Sequence, residues 1–135
     1  MAAKRIPRLR NLIKAASGGA PYKEDSKKII RFVRMGCTNR PFYHIVVAEQ
    51  HTNQHMPVIE QVGTYDPLPN EKNQKLVAFN FERVQHWLAR GVNLTYPVAE
   101  LLGLAGYLPL HPRTVMTAWR NRLRAKKEAS EEKKE

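Results

Sequence analysis

The sequence predicts an α+β domain, a small sheet covered by two helices, with a basic extension at each end. Three observations carry this. Lys27 to Pro67 holds three runs rich in β-branched and aromatic residues, with turn residues between them. From Asn80 to Leu104 the apolar spacing becomes helical. Charge is segregated: residues 1–34 carry ten Lys and Arg against two acids, residues 35–112 five against six, and residues 113–135 eight against four. A nearly neutral body with cationic ends suits a compact fold whose arms follow a polyanion.

The totals agree. A chain of 135 residues suits one domain with something left at the ends, and 42% hydrophobic residues is enough for a small core. The formal charge of +11 favours an anionic partner, and nucleic acid is the common one. The single cysteine, Cys37, forms no internal disulfide. No apolar run approaches the roughly 18 residues that span a bilayer, so the reading is of a soluble protein.

The elements follow in order. Residues 1–26 form a basic N-terminal extension with no acid before Glu24. Ile6, Leu9, Leu12 and Ile13 fall near helical spacing among arginines. This is the look of a mitochondrial targeting segment and equally of an RNA-binding arm. Lys27 to Met35 is a strand, with Ile30 and Phe32 on one face and Ile29, Arg31 and Val33 on the other. Gly36 and Asn39 mark a loop, and Pro41 leads into a second strand, Phe42 to Glu49. After the polar loop His51 to His55, a third strand runs from about Pro57 to Tyr65. Short connections make the three an antiparallel meander.

Leu76 to Phe79 reads as a short edge strand. Asn80 is a good N-cap for a helix with Phe81, Val84, Trp87 and Leu88 on its core face, ending at Gly91. Val92 to Leu94 is a brief extended piece. A second helix starts at Thr95 or Tyr96, with Pro97 in its first turn and Val98, Leu101, Leu102 and Leu104 facing the core. Residues 108–112 read as an ordered hook. A basic helix is expected from Thr114 to Lys127, and disorder from Glu128 to Glu135.

Arg31-x-x-Arg34-x-Gly36, Arg40-Pro-Phe-Tyr-x-Ile-Val-Val-Ala48 and Ile59-Glu60-x-x-Gly63-x-Tyr65-x-Pro67 closely resemble the family of small ribosomal subunit protein sixteen, of the bacterial type. The helix carrying His86-Trp87 and the short helix after it fit the same family. The resemblance covers about residues 27–105. Gly36-Cys-Thr-Asn-Arg-Pro-Phe-Tyr43 and the extension Leu101 to Pro112 look like its mitochondrial branch. The resemblance implies a mixed or antiparallel sheet of three to five strands with two packed helices, in a domain spanning 27–112 followed by a basic tail, 113–135. It also implies a structural role in the mitochondrial matrix. Such proteins bind the 5′ domain of small-subunit ribosomal RNA beside neighbouring ribosomal proteins, without catalysis, membrane or small-molecule substrate. One departure stands out: the loop Glu49 to Pro57 carries no arginine, where relatives often place several.

The candidate RNA contacts are Lys27, Lys28, Arg31, Arg34, Asn39 and Arg40 on or beside the first hairpin. An arginine fork donates two hydrogen bonds together to phosphate. Tyr43 is placed either to stack on a base or to fill core. Arg83, His86 and Arg90 form a second patch, which reads equally as a solvated helix face. The resemblance makes Cys37 a candidate single ligand to an iron–sulfur cluster shared with a neighbouring subunit; an ordinary free thiol is the alternative. His51 and His55 lie in a loop with no third ligand in view. Two other classes stay open: an RNA-processing enzyme using Cys37 or the loop histidines, and an RNA chaperone outside the ribosome.

Overall fold

The computed structural model describes residues 22–133, so the arm or targeting segment expected before Tyr22 lies outside the described residues. The elements are β1 (Lys28–Cys37), β2 (Arg40–Glu49), β3 (Glu60–Tyr65), β4 (Val77–Phe79), α1 (Phe81–Ala89), β5 (Asn93–Leu94), α2 (Tyr96–Leu104) and α3 (Pro112–Glu132). The chain divides into two compact units after Thr95.

The first unit holds a five-stranded mixed sheet in the order β4-β3-β2-β1-β5. β1 to β4 pair antiparallel in sequence, as the short connections predict. β5 returns parallel to β1 at the far edge, and α1 lies in the crossover that a parallel pair requires.

The β1–β2 hairpin is longer than its turn residues suggest. Cys37 pairs with Arg40, which leaves only Thr38 and Asn39 in the turn. Asn39 adopts φ 67°, a left-handed conformation that asparagine tolerates. Pro41 sits inside β2 opposite Gly36. There β2 pairs only with β1, because its pairing with β3 starts at Tyr43, so a residue without an N–H does no harm.

Both faces of β1 are buried, which explains its imperfect alternation. Ile30 lies opposite Val47 and Phe32 opposite Ile45. Glu60, paired with Val47, bonds to α1 from this same face. α1 buries Val84 and Trp87, worth about 1.5–3 kcal/mol for the valine. On the opposite face Val33, Val46, Ala48 and Val58 cluster, with Met35 against them.

β3 begins at Glu60 rather than about Pro57, and a bulge inside it interrupts the ladder with β2. Ile45 faces Gly63 while Val46 faces Gln61, so Val62 is the extra residue, and it is buried. The Asn80 cap forms as expected, its side chain accepting from the Arg83 N–H. Phe81 departs from the expectation. It occupies the first helical position, is half exposed and lies 5.7 Å from the Phe79 ring.

In the second unit α2 buries Val98, Leu102 and Gly103. Leu101 is half-buried and Leu104 exposed, not facing a core as expected. A Cβ on Gly103 would come within 2.9 Å of the Pro109 carbonyl oxygen, so the hook at 108–112 crosses the last turn of α2. His111 caps α3, accepting from the Arg113 N–H at 3.2 Å, and Pro112 follows it. α3 then runs to Glu132, where disorder was expected from Glu128. The mixed charges there fall at helical spacing, with Lys127 4.0 Å from Glu131.

Candidate nucleic-acid interface

The sheet separates the candidate arginines by face. Arg31 points to the side covered by the loop after β2. Its Nη1 donates to the Thr52 carbonyl at 2.8 Å, and its Nη2 donates to Thr52 Oγ1 at 3.1 Å and the Asn53 carbonyl at 2.9 Å. Burial lowers its pKa from the ordinary value. The arginine-free loop is therefore held in place by an arginine from β1.

Arg34, three residues on, lies on the other face opposite Tyr43. Arg34 and Arg40 are exposed, and neither guanidinium is engaged in a hydrogen bond or ion pair among the described residues. On the face of Arg34, Phe32, Tyr43 and Tyr65 form a half-buried trio, with ring centroids 5.5–6.3 Å apart; Arg40, three residues before Tyr43 on β2, falls on the opposite face. Tyr43 thus packs in the sheet and still presents part of its ring at the surface. The hairpin end presents two uncommitted guanidinium forks, one of them on the face of the aromatic trio, and the exposed Asn39 amide.

Other candidates are occupied. The Lys28 ammonium donates to the carbonyls of Lys23, Glu24 and Ser26 and lies over the Tyr22 ring. Arg83 grips Glu60 through Nε at 2.6 Å and Nη2 at 2.7 Å. Trp87 Nε1 donates to the same carboxylate at 2.9 Å. These bonds, Arg83 first, hold the Glu60 carboxyl below its usual range. His86 packs edge-on against Trp87, and Arg90 lies over the Trp87 ring. Lys27, Lys28 and Arg90 line one cleft, but Glu24 and Asp25 line it too, so its charge is mixed.

The RNA contacts expected from the sequence do not include the cations of α3. Arg113, Arg120, Arg122, Arg124, Lys126 and Lys127 are all exposed. The basic composition of this stretch was the available signal.

Cys37 is exposed at the end of β1. Among the described residues no group of three or more His, Cys, Asp or Glu could hold a metal ion. One thiol supplies about a quarter of the ligands that an iron–sulfur cluster takes, so the described residues alone do not make up a cluster site, and nothing in the structure supports the shared cluster. No described helix is long and apolar enough to cross a membrane.

A family model described as Ribosomal protein S16 matches residues 34–95. The chain is 64% identical over 121 residues to small ribosomal subunit protein bS16m of Drosophila melanogaster, covering 89% of this chain and 94% of that one. It is 50% identical over 91 residues to bS16m of Caenorhabditis elegans, covering 64% and 62%. It is 40% identical over 81 residues to bS16 of Acidiphilium cryptum, covering 60% and 71%.

Proposed function

The chain belongs to the ribosomal protein S16 family, and from that premise we propose that it is a structural constituent of the mitochondrial small ribosomal subunit. It works in the mitochondrial matrix, beside other ribosomal proteins, and binds the 5′ domain of the small-subunit RNA during assembly and translation. The role is structural, not catalytic. In this reading residues 1–26 are a basic extension or targeting segment, 27–112 the ribosomal domain and 113–135 a basic tail.

The observation that carries the RNA contact is the hairpin end, where Arg34 and Arg40 stand exposed and uncommitted, Arg34 on the face of the Phe32–Tyr43–Tyr65 trio and Arg40 on the other. Phosphate contacts there would fix orientation without reading sequence.

The test is binding to a 5′-domain RNA transcript across a salt series. Each lost phosphate contact reduces the slope of log K against log salt by about 0.7–0.9. Arg34→Gln with Arg40→Gln should therefore flatten it by about 1.5. Arg31→Gln should leave the slope nearly intact and instead loosen the loop at Thr52. A double variant with an unchanged slope refutes the assignment. Sedimentation of the protein apart from the small subunit in a gradient of mitochondrial lysate refutes the ribosomal role.

A further inference from the structure

The exposed apolar surface of this chain is unevenly placed. Twelve large apolar side chains stand exposed among the described residues, and eight of them lie between Tyr96 and Leu123. The family model ends at Thr95, so this surface lies outside the part matched to that model. Its longest continuous part is on α3. Val115 is 43% exposed, Met116 52%, Trp119 64% and Leu123 67%. Their spacing of one, three and four residues places them along one side of the helix. Thr114 and Ala118, on the flank away from Met116 and Leu123, are the half-buried positions. α3 has no fully buried residue. A 21-residue helix that turns its tryptophan to water presents a binding face.

Charge narrows the partner. From Arg113 to Lys127 there are six cations and no acid. By helical angle, Arg120, Arg124 and Lys127 flank the stripe on one side and Arg122 on the other. RNA would satisfy these cations. It would leave Val115, Met116 and Leu123 facing ribose and phosphate, where aliphatic side chains gain little. An apolar groove rimmed by carboxylates satisfies both sets of groups at once, in the manner of an amphipathic helix laid into a groove.

We propose that α3 docks, through Val115, Met116, Trp119 and Leu123, into an apolar groove with an acidic rim on another protein of the small ribosomal subunit. This rests on the ribosomal reading above. Trp119 is the central anchor, as large aromatics in pockets are at other interfaces.

The test places the photo-crosslinker p-benzoylphenylalanine at position 119 of the full-length chain in cells, with position 121 on the opposite side of the helix as control. Small subunits are isolated after irradiation. The expected adduct forms from position 119 and not 121, survives ribonuclease, and maps to a small-subunit protein at a peptide bearing Asp or Glu among apolar residues. Arg120→Glu with Arg124→Glu should lower its yield at least fivefold while the chain still co-sediments. Four results overturn the proposal: a ribonuclease-sensitive adduct, an adduct to a second copy of this chain, no adduct in subunits that contain the chain, or a yield unmoved by charge reversal. A chain missing from the small subunit overturns the ribosomal reading itself, and the docking with it.

Discussion

Replacing Glu60 removes the one carboxylate that joins β3 to α1. Its Oε2 accepts from the indole of Trp87, a residue only 2% exposed, and both oxygens accept from Arg83. Glu60→Ala leaves the buried indole N–H without an acceptor, at about 1–3 kcal/mol. Loss of the half-buried γ-methylene adds about 0.4 kcal/mol. The sum, about 1.5–3.5 kcal/mol, is a large part of the roughly 5–15 kcal/mol that holds a domain together. Arg83 adds little, because its side chain is 41% exposed and regains water. Glu60→Gln keeps an oxygen for Trp87 and should cost much less than alanine. The assay is urea unfolding followed by tryptophan fluorescence, in which the buried Trp87 reports and the exposed Trp119 changes little. The pH dependence has a definite sign. The folded carboxyl sits below its ordinary value of 4.5, so its contribution is complete above pH 4.5 and is lost as pH falls through the folded value. Glu60→Gln should remove that part of the acid sensitivity. An alanine cost below about 1 kcal/mol, or a glutamine cost equal to it, refutes the indole bond as the main contribution.

Two further outcomes test the sheet. A Cβ on Gly63 would run into the Ala78 carbonyl oxygen and come within 3.3 Å of Ile45 Cδ1. Gly63→Ala should therefore cost about 1–3 kcal/mol in urea unfolding, with faster hydrogen exchange confined first to Val77–Phe79. Burial lowers the pKa of His44, and its Nδ1 has no hydrogen-bond partner among the described residues. The unfolded chain then takes up this proton more readily, so stability should fall as pH drops below about 6.5 toward the folded value. His44→Gln should flatten that fall in thermal melts between pH 7 and pH 5, and an unchanged profile would count against it.

Much of the fold was legible because local rules and tertiary packing agree over most of it. Ile45-Val-Val is buried in a central strand, Asn80 caps α1, and Val84 and Trp87 are its buried positions. The misreadings come where one residue type serves two purposes. Gly36 and Pro41 look like loop, yet they pair across the hairpin, so Cys37 belongs to a strand end. Glu128 to Glu132 looks like a disordered tail by composition, while its spacing continues a helix. Leu104 and Phe81 carry the right period and are exposed, because a period fixes the side of a helix and not how far the cover extends.

The interface was less legible for a physical reason that Arg31 and Arg34 illustrate. Both are arginines of one strand, three residues apart, so they lie on opposite faces. Nothing local says which face a later segment will cover. The loop at Thr52 and Asn53 covers the side of Arg31 and engages its Nη1 and Nη2 with carbonyls, while Nε has no partner among the described residues. Glu60 does the same to Arg83, and the turn at Lys23 to Ser26 does it to Lys28. In each case a cation supplied by one segment anchors another more than ten residues away or closes its own turn. A basic composition therefore overstates the charge available to a partner. Once those internal bonds are assigned, the hairpin cations left for a partner are Lys27, Arg34 and Arg40, and of these Arg34 lies on the face of the aromatic trio. A partner that needs forks and a stacking surface together would engage this end of the hairpin first.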